Sequence, residues 1–147
     1  MDRGKIIRSL RINYIVSIVA ALAVVLAFEL GFIEKGAMVN VVSADAMYMI
    51  QVTAVMLTIA LIPLAIKGFT RAMEKVKGNS EEVVVALFCK KSLQRIFLLF
   101  LVVVINEFVY YGLGYDSSLY CCLIGLGSMI YSFPTKMVLE QSLDERE

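Results

Sequence analysis

Histidine and tryptophan are absent from this chain, proline occurs twice and cysteine three times. Without histidine, bis-histidine haem, most zinc sites, imidazole acid–base work and phosphorelay are all unavailable. The cysteines form no spaced framework. An adjacent pair such as Cys121-Cys122 cannot close a disulfide in regular helix, and thiol oxidoreductases exchange through spaced pairs. Cys121 and Cys122 therefore read as small hydrophobes for packing, and Cys89 as an inert thiol. Charge is scarce as well: 18% of residues are charged and the net charge is +1, so nothing pulls the chain toward nucleic acid. No catalytic, metal or nucleotide motif is present. The expected class is non-enzymatic, with no catalytic residues, no metal ligands and no cofactor.

What the chain has is apolar length. Hydrophobic residues make up 60% of it and the mean hydropathy is +0.81, well above the roughly 45–50% apolar share of a soluble domain. Four long apolar runs stand out. A bilayer core takes about 20 apolar residues per helix, so the runs predict spans at about 12–33, 44–66, 96–113 and 117–133 in a single transmembrane domain covering 1–147. The expected fold is an all-α membrane protein, a four-helix transmembrane bundle. The first run exceeds the ~7–15 apolar residues of a signal peptide and reads as an uncleaved span.

The punctuation between runs agrees. Ser43 is placed as an N-cap, with Asp45 in the first turn to complement the helix dipole. Pro63 falls near the expected end of the second span. Gly78-Asn79-Ser80 is a turn signal, and Glu81 and Glu82 suit a new helix start. The second and third spans are expected to project as a helical hairpin, with Val83 to Cys89 lying in the interface or packing on that hairpin. Gly112 to Asp116 is a turn, and Pro134 ends the fourth span. Beyond it, Leu139 and Leu143 share a face and Lys136 pairs with Glu140 at i,i+4.

Orientation follows from the basic residues. Four precede the first span, seven lie between the second and third, two are in the tail, and Lys35 alone lies in an outer loop. Both termini and the hairpin are therefore expected on the cytoplasmic side of a bacterial inner membrane. Tyr14 and Tyr131 fall at the inner boundary, and Tyr48, Tyr110, Tyr111, Tyr115 and Tyr120 at the outer one, as an aromatic belt requires. Arg8-Ser9-Leu10-Arg11-Ile12 echoes Lys91-Ser92-Leu93-Gln94-Arg95-Ile96, and a glutamate follows each. The register differs by five residues, and basic flanks before such helices arise from the charge rule anyway, so the echo reads as coincidence.

The candidate site is a polar layer in the outer half of the spans. At 1.5 Å per residue, Glu107 lies roughly 9 Å inside the outer end of the third span, and Glu29 about one turn inside that of the first. Asn106, Gln51 and Thr53 fall at similar depth, with no Lys or Arg inside the spans to neutralise the acids. A bare carboxylate there is costly, which favours a bound proton or cation, a water-filled cavity or snorkelling. Glu107, Glu29, Asn106 and Gln51 are thus candidates for an ion or proton site between the first and third helices. The competing reading has Glu29 snorkelling outward while Glu107, Asn106 and Gln51 hydrogen-bond between helices.

Ala23, Ala27 and Gly31 on the first helix, and Cys121, Gly125 and Ser128 on the fourth, form small-residue faces suited to close packing. Phe97, Leu98, Leu99, Phe100 and Leu101 make the third helix bulky, and it is expected to face lipid over much of its girth. In the hairpin, Arg71, Lys75, Lys90 and Lys91 are candidates for lipid headgroups, within a local excess of Lys67, Arg71, Lys75, Lys77, Lys90, Lys91 and Arg95 over Glu74, Glu81 and Glu82. The expected partners are membrane lipid and a homo-oligomer or larger membrane complex.

With its size, its Tyr- and Glu-rich outer helix ends and the turn Ser132-Phe133-Pro134-Thr135-Lys136 followed by Glu140, the chain resembles a group of uncharacterised small four-span bacterial inner-membrane proteins. That resemblance implies no activity and no site residues. Small multidrug exporters also carry a glutamate in the first of four helices, but theirs is more central, their loops are shorter, and their dual-topology members lack such a charge bias. Four-helix quinone-coupled thiol oxidases need spaced cysteines. The leading reading is a non-enzymatic membrane protein acting as an oligomer or assembly subunit, the alternative is a small proton- or cation-coupled carrier built on Glu107 and Glu29, and a membrane redox enzyme ranks third.

Overall fold

A computed structural model describes residues 3–36, 39–76, 78–133 and 140. The expected features at Lys77, Pro134, Lys136, Leu139 and Leu143 lie outside the described residues. The secondary structure of the described residues is all-helical, with α1 Arg3–Glu29, α2 Ala44–Lys75, α3 Glu81–Leu113 and α4 Asp116–Tyr131. Three of them, α1, α2 and α3, are long and apolar enough to cross a membrane. With 16 residues, α4 rises only about 24 Å, short of the ~30 Å of a hydrocarbon core.

Local chemistry sets most of the ends. Ser43 is the N-cap of α2, its hydroxyl accepting the Ala46 N–H at 3.3 Å, and Asp45 sits in the first turn. Ser80 stands at the N-cap position of α3 without a side-chain capping bond, and Glu81 and Glu82 follow in the first turn. At the other end of α3, Gly114 adopts φ 78° and returns its N–H to Tyr110 O at 2.8 Å. That left-handed position closes the helix and lets α4 begin two residues later. Pro63 does not end α2, which runs on to Lys75. On α1, by contrast, the helix stops at Glu29, and the apolar residues Leu30 to Ile33 lie in turn and bend.

α3 is the hub, lying against α1, α2 and α4, while α2 and α4 also touch. Helices α1 and α3 run parallel, since Glu29 near one C-terminus meets Tyr111 near the other. Helix α2 is antiparallel to α3, joining Thr58 to Asn106, and α4 is antiparallel to α3, joining Ser132 to Arg95. We call the end carrying residues 30–36, 39–43 and 114–115 the loop end, and the end carrying residues 76 and 78–80 the turn end.

The central place of α3 corrects the expectation that it faces lipid. Leu99, Val102 and Val103 are wholly enclosed, and of the bulky run only Phe97 is mostly exposed. A helix that is apolar all round carries no stripe to say whether protein or lipid covers it. What decides is size on the neighbour: a Cβ added at Gly125 of α4 would lie 2.9 Å from Val103 Cγ2 and 3.3 Å from Val102 Cγ1, so the two backbones meet where glycine lets them.

A second correction concerns α1. Ala23 is exposed, Ala27 half-buried and Gly31 exposed beyond the helix, so the small stripe is not the packing face. The buried positions are Ile7, Leu10, Tyr14, Ala21 and Phe28. Four of them recur every seven residues, the coiled-coil seam spacing, and their mixture of sizes hides the pattern from a search for small residues.

Three apolar clusters stack along α3. At the turn end, Ile7 and Leu10 of α1 join Phe69 of α2 and Val84, Val85 and Phe88 of α3. The segment 83–89 thus packs within the hairpin, and α1 braces it. The middle cluster holds Tyr14, Ala21, Ala65, Ile96, Leu99, Val103, Cys122 and Met129, and the loop-end cluster Ala54, Val109 and Leu113.

Candidate functional site

The polar layer expected between α1 and α3 is divided in the structure among separate partners. Asn106 and Glu107 are consecutive on a helix, about 100° apart around its axis, and so serve different neighbours. Asn106 turns to α2: its Nδ2 donates to Thr58 Oγ1 at 2.8 Å and to Val102 O at 2.8 Å, while its Oδ1 stays buried without a partner. Gln51 bonds α4 instead, its Nε2 donating to Ser117 Oγ at 2.8 Å. Thr53 is exposed.

Glu29 is not without a cation, contrary to expectation. Lys35, from the loop that follows α1, brings its Nζ to 3.0 Å from Glu29 Oε2, and the Tyr111 hydroxyl donates to Oε1 at 3.0 Å. The loop is fastened there, with the Gly36 N–H donating to Tyr111 O at 2.7 Å. Phe28 stacks on Tyr111 with ring centroids 4.7 Å apart and planes within 6°. Only a loop doubling back onto α3 unites these residues, and the spacing of Lys35 from Glu29 does not announce it.

Glu107 is the residue left over. It is 3% exposed, and its Oε2 is buried with no hydrogen-bond partner. It lines a cavity of about 180 Å³ whose other walls include Ala21 and Val25 of α1 and Cys122 and Leu126 of α4. This chamber is almost wholly apolar. A larger hollow of about 400 Å³ opens at the loop end, lined by Glu29, Lys35, Asp116 and Gly36. Tyr110 and Tyr111 belong to the walls of both. Tyr110 and Tyr111 follow Glu107 at i+3 and i+4, so the helix itself sets one hydroxyl-bearing ring pair over the acid. Their place in the expected aromatic belt does not by itself show this role. Their spacing from Glu107 was the available signal.

Arg95 belongs by sequence to the hairpin cations, yet it is 8% exposed. Its guanidinium carbon lies 4.0 Å from the centroid of the Phe69 ring, and Nη2 donates to Ser132 O at 3.2 Å, while Nε is buried and unpartnered. Nothing in residue type separates Arg95 from its exposed neighbours; the burial comes from α4 ending against it. Of the headgroup candidates, Arg71, Lys75 and Lys90 are exposed, and Lys91 is half-buried with Nζ donating to Gln94 Oε1 at 3.2 Å.

The three cysteines are free, and Cys122 is buried beside the Glu107 chamber. Among the described residues, no group of three or more His, Cys, Asp or Glu could hold a metal ion. Comparison with protein-family models, with curated protein sequences and with solved structures found no match to this chain.

Proposed function

We propose that this is a multi-pass integral protein of a bacterial inner membrane in which Glu107 binds a proton or small cation reached from the loop-end hollow, a small coupled carrier and not an enzyme. The observation that carries the proposal is the unpartnered Oε2 of Glu107 inside an apolar chamber. The competing structural reading has Glu107, Asn106 and Gln51 all hydrogen-bonding between helices; Asn106 and Gln51 do so, to Thr58 and Ser117, whereas Glu107 Oε2 has no partner. A buried carboxylate with neither donor nor cation is costly by several kcal/mol, and a bound proton or cation removes most of that cost. Glu29, Tyr111 and Lys35 then form the entry, a hydrated acid within hydrogen-bond reach of the tyrosine that walls the chamber.

The membrane frame rests on four crossings. Helices α1, α2 and α3 have the length and hydropathy, and α4 with its flanking residues reaches across if the bilayer thins slightly at its ends. The basic residues bias both termini and the turn end toward the cytoplasm. Helices α2 and α3 exceed a hydrocarbon core by about 18 Å each, and this excess forms the cytoplasmic hairpin.

The test is spectroscopic and functional together. Difference infrared spectra of the purified protein should contain a carboxylic acid carbonyl band that Glu107→Gln removes, and proteoliposomes of that variant should lose any gradient-driven proton or cation flux while the variant still folds. A wild-type protein with no such band and no flux overturns the proposal. A second reading, an oligomer or assembly subunit, is favoured by one feature. Ala23 is exposed and Ala27 only half-buried, so a small-residue face of α1 is partly uncovered. In that case Ala23→Leu, not Glu107→Gln, changes the mass of the complex in mild detergent.

A further inference from the structure

A charge buried at the opposite end of α3 from the candidate acid lacks a counter-charge among the described residues. Arg95 forms no ion pair among the described residues; it holds one carbonyl and one aromatic face, and its Nε has no acceptor. A buried guanidinium normally meets a carboxylate or phosphate that engages its fork of donors. Beside it is a cavity of about 190 Å³ between α2 and α3, lined by Leu64, Gly68, Phe69, Lys91, Gln94 and Arg95 among others. Lys91, Gln94 and Arg95 sit at i, i+3 and i+4, so one face of α3 presents two cations and an amide to this space. The opposite wall has no side chain at Gly68, where an added Cβ would meet nothing within 4 Å.

We propose that this cavity holds the phosphate of an anionic lipid, with Arg95 and Lys91 as its ligands and the acyl chains running along Leu64 and Leu98. The inference rests on the membrane reading of α2 and α3, and is independent of the Glu107 site. Position argues for a lipid source. The cavity lies where the apolar run of α2 gives way to Lys67 and that of α3 begins after Arg95, the level of headgroups. Size agrees too: a phosphate with its ester oxygens fits within about 190 Å³, and the apolar residues Leu64, Ala65 and Leu98 extend from the polar end. The exposed Arg71, Lys75 and Lys90 would act only as a diffuse attraction that brings the lipid near.

The experiment uses the full chain in mild non-ionic detergent and in nanodiscs. Native mass spectrometry with phosphatidylglycerol or phosphatidylcholine measures how many lipids stay bound, and thermal unfolding with inorganic phosphate measures the free anion. One phosphatidylglycerol retained in preference to phosphatidylcholine is expected. Arg95→Gln should weaken it about tenfold or more, as loss of a charge-assisted hydrogen bond does. Gly68→Leu should do the same by filling the space without touching a cation, and it covers the case in which Arg95→Gln does not fold. Lys90→Gln should leave retention unchanged. Stabilisation by inorganic phosphate alone, abolished by Gly68→Leu, would keep the phosphate site but assign it to a soluble anion. Retention that is equal for the two lipids, or that Gly68→Leu and Lys90→Gln affect alike, overturns the site. Extraction of the protein by alkaline carbonate would instead remove the membrane reading itself.

Discussion

Gly125 is where the path of α4 over α3 is decided, and replacing it by alanine gives a sharp test because Gly127, two residues on, supplies a matched control. Alanine at either position should gain about 0.5–1 kcal/mol of helix propensity. At Gly127 the new Cβ meets nothing within 4 Å, so this gain should stand alone. At Gly125 it would meet Val103 Cγ2 at 2.9 Å and Val102 Cγ1 at 3.3 Å, against the roughly 3.5–4.0 Å of an ordinary carbon contact. Val103 is fully enclosed and β-branched in a helix, so its χ1 has little freedom to turn away. Relief must come from α4 moving outward by about 0.6 Å. A gap of that size forfeits about a quarter of the dispersion well for each contact it opens, and those along Cys122 and Met129 are opened together. Overpacking of this kind costs about 1–3 kcal/mol, and the propensity gain drops out of the difference between the two variants. The assay is unfolding of purified protein in mixed micelles, followed by tyrosine fluorescence as the denaturing detergent fraction is raised. Gly125→Ala should unfold earlier than Gly127→Ala by that margin. Equal midpoints for the two variants would refute the close approach, and with it the shape of the Glu107 chamber, whose wall includes Cys122 and Leu126.

Other outcomes follow from the same packing. Leu99→Ala at the enclosed middle of α3 should cost toward the low end of about 2–5 kcal/mol, because lipid also solvates the separated helices, whereas Leu22→Ala on the exposed face of α1 should be near neutral in the same unfolding assay. Asn106→Leu and Thr58→Val each remove one side of a buried interhelical hydrogen bond, and the double variant should show a coupling of about 0.5–2 kcal/mol; strictly additive midpoints would mean that the bond is not formed. Lys35→Ala should leave the melting temperature unchanged, since the ion pair with Glu29 is exposed, while loosening the loop enough to speed amide hydrogen exchange at Gly36.

How much of this was legible beforehand depended on whether the signal was local. Ser43, Asp45, Glu81 and Glu82 announce helix starts because caps and first-turn acids are a matter of a few adjacent residues, and the apolar runs announce α1, α2 and α3 because length and hydropathy are local too. Which face of an apolar helix meets protein is not local. Helix α3 reads as lipid-facing from Phe97 to Leu101 until Gly125 of another helix is placed against Val103. The depth of the polar residues along the spans was visible, but not their partners. Asn106 and Glu107 seemed one group because they are adjacent, and the helix turns them toward different neighbours. Lys35 and Glu29 meet through a fold-back of the loop, and Arg95 is buried by the end of α4, so neither contact could be read from spacing.

Arg95 and Glu107 are a base and an acid buried on one helix, which invites the idea that each answers the other. Distance argues against it. They are about 18 Å apart along the axis of α3, and at an effective dielectric of about 20 such a pair attracts by only about 0.9 kcal/mol, far less than the several kcal/mol that burying either ion costs. On the readings proposed above, each is compensated where it stands, by a proton or cation at the loop end and by a phosphate at the turn end. The consequence is measurable. In unfolding assays the losses caused by Arg95→Gln and Glu107→Gln should combine with a coupling below about 1 kcal/mol, and stripping anionic lipid should leave the Glu107 infrared band where it was. A coupling well above that value, or a band that moves when phosphatidylglycerol is removed, would mean that the two charges share one compensating network, and the separate sites assigned to the two ends of α3 would have to be given up.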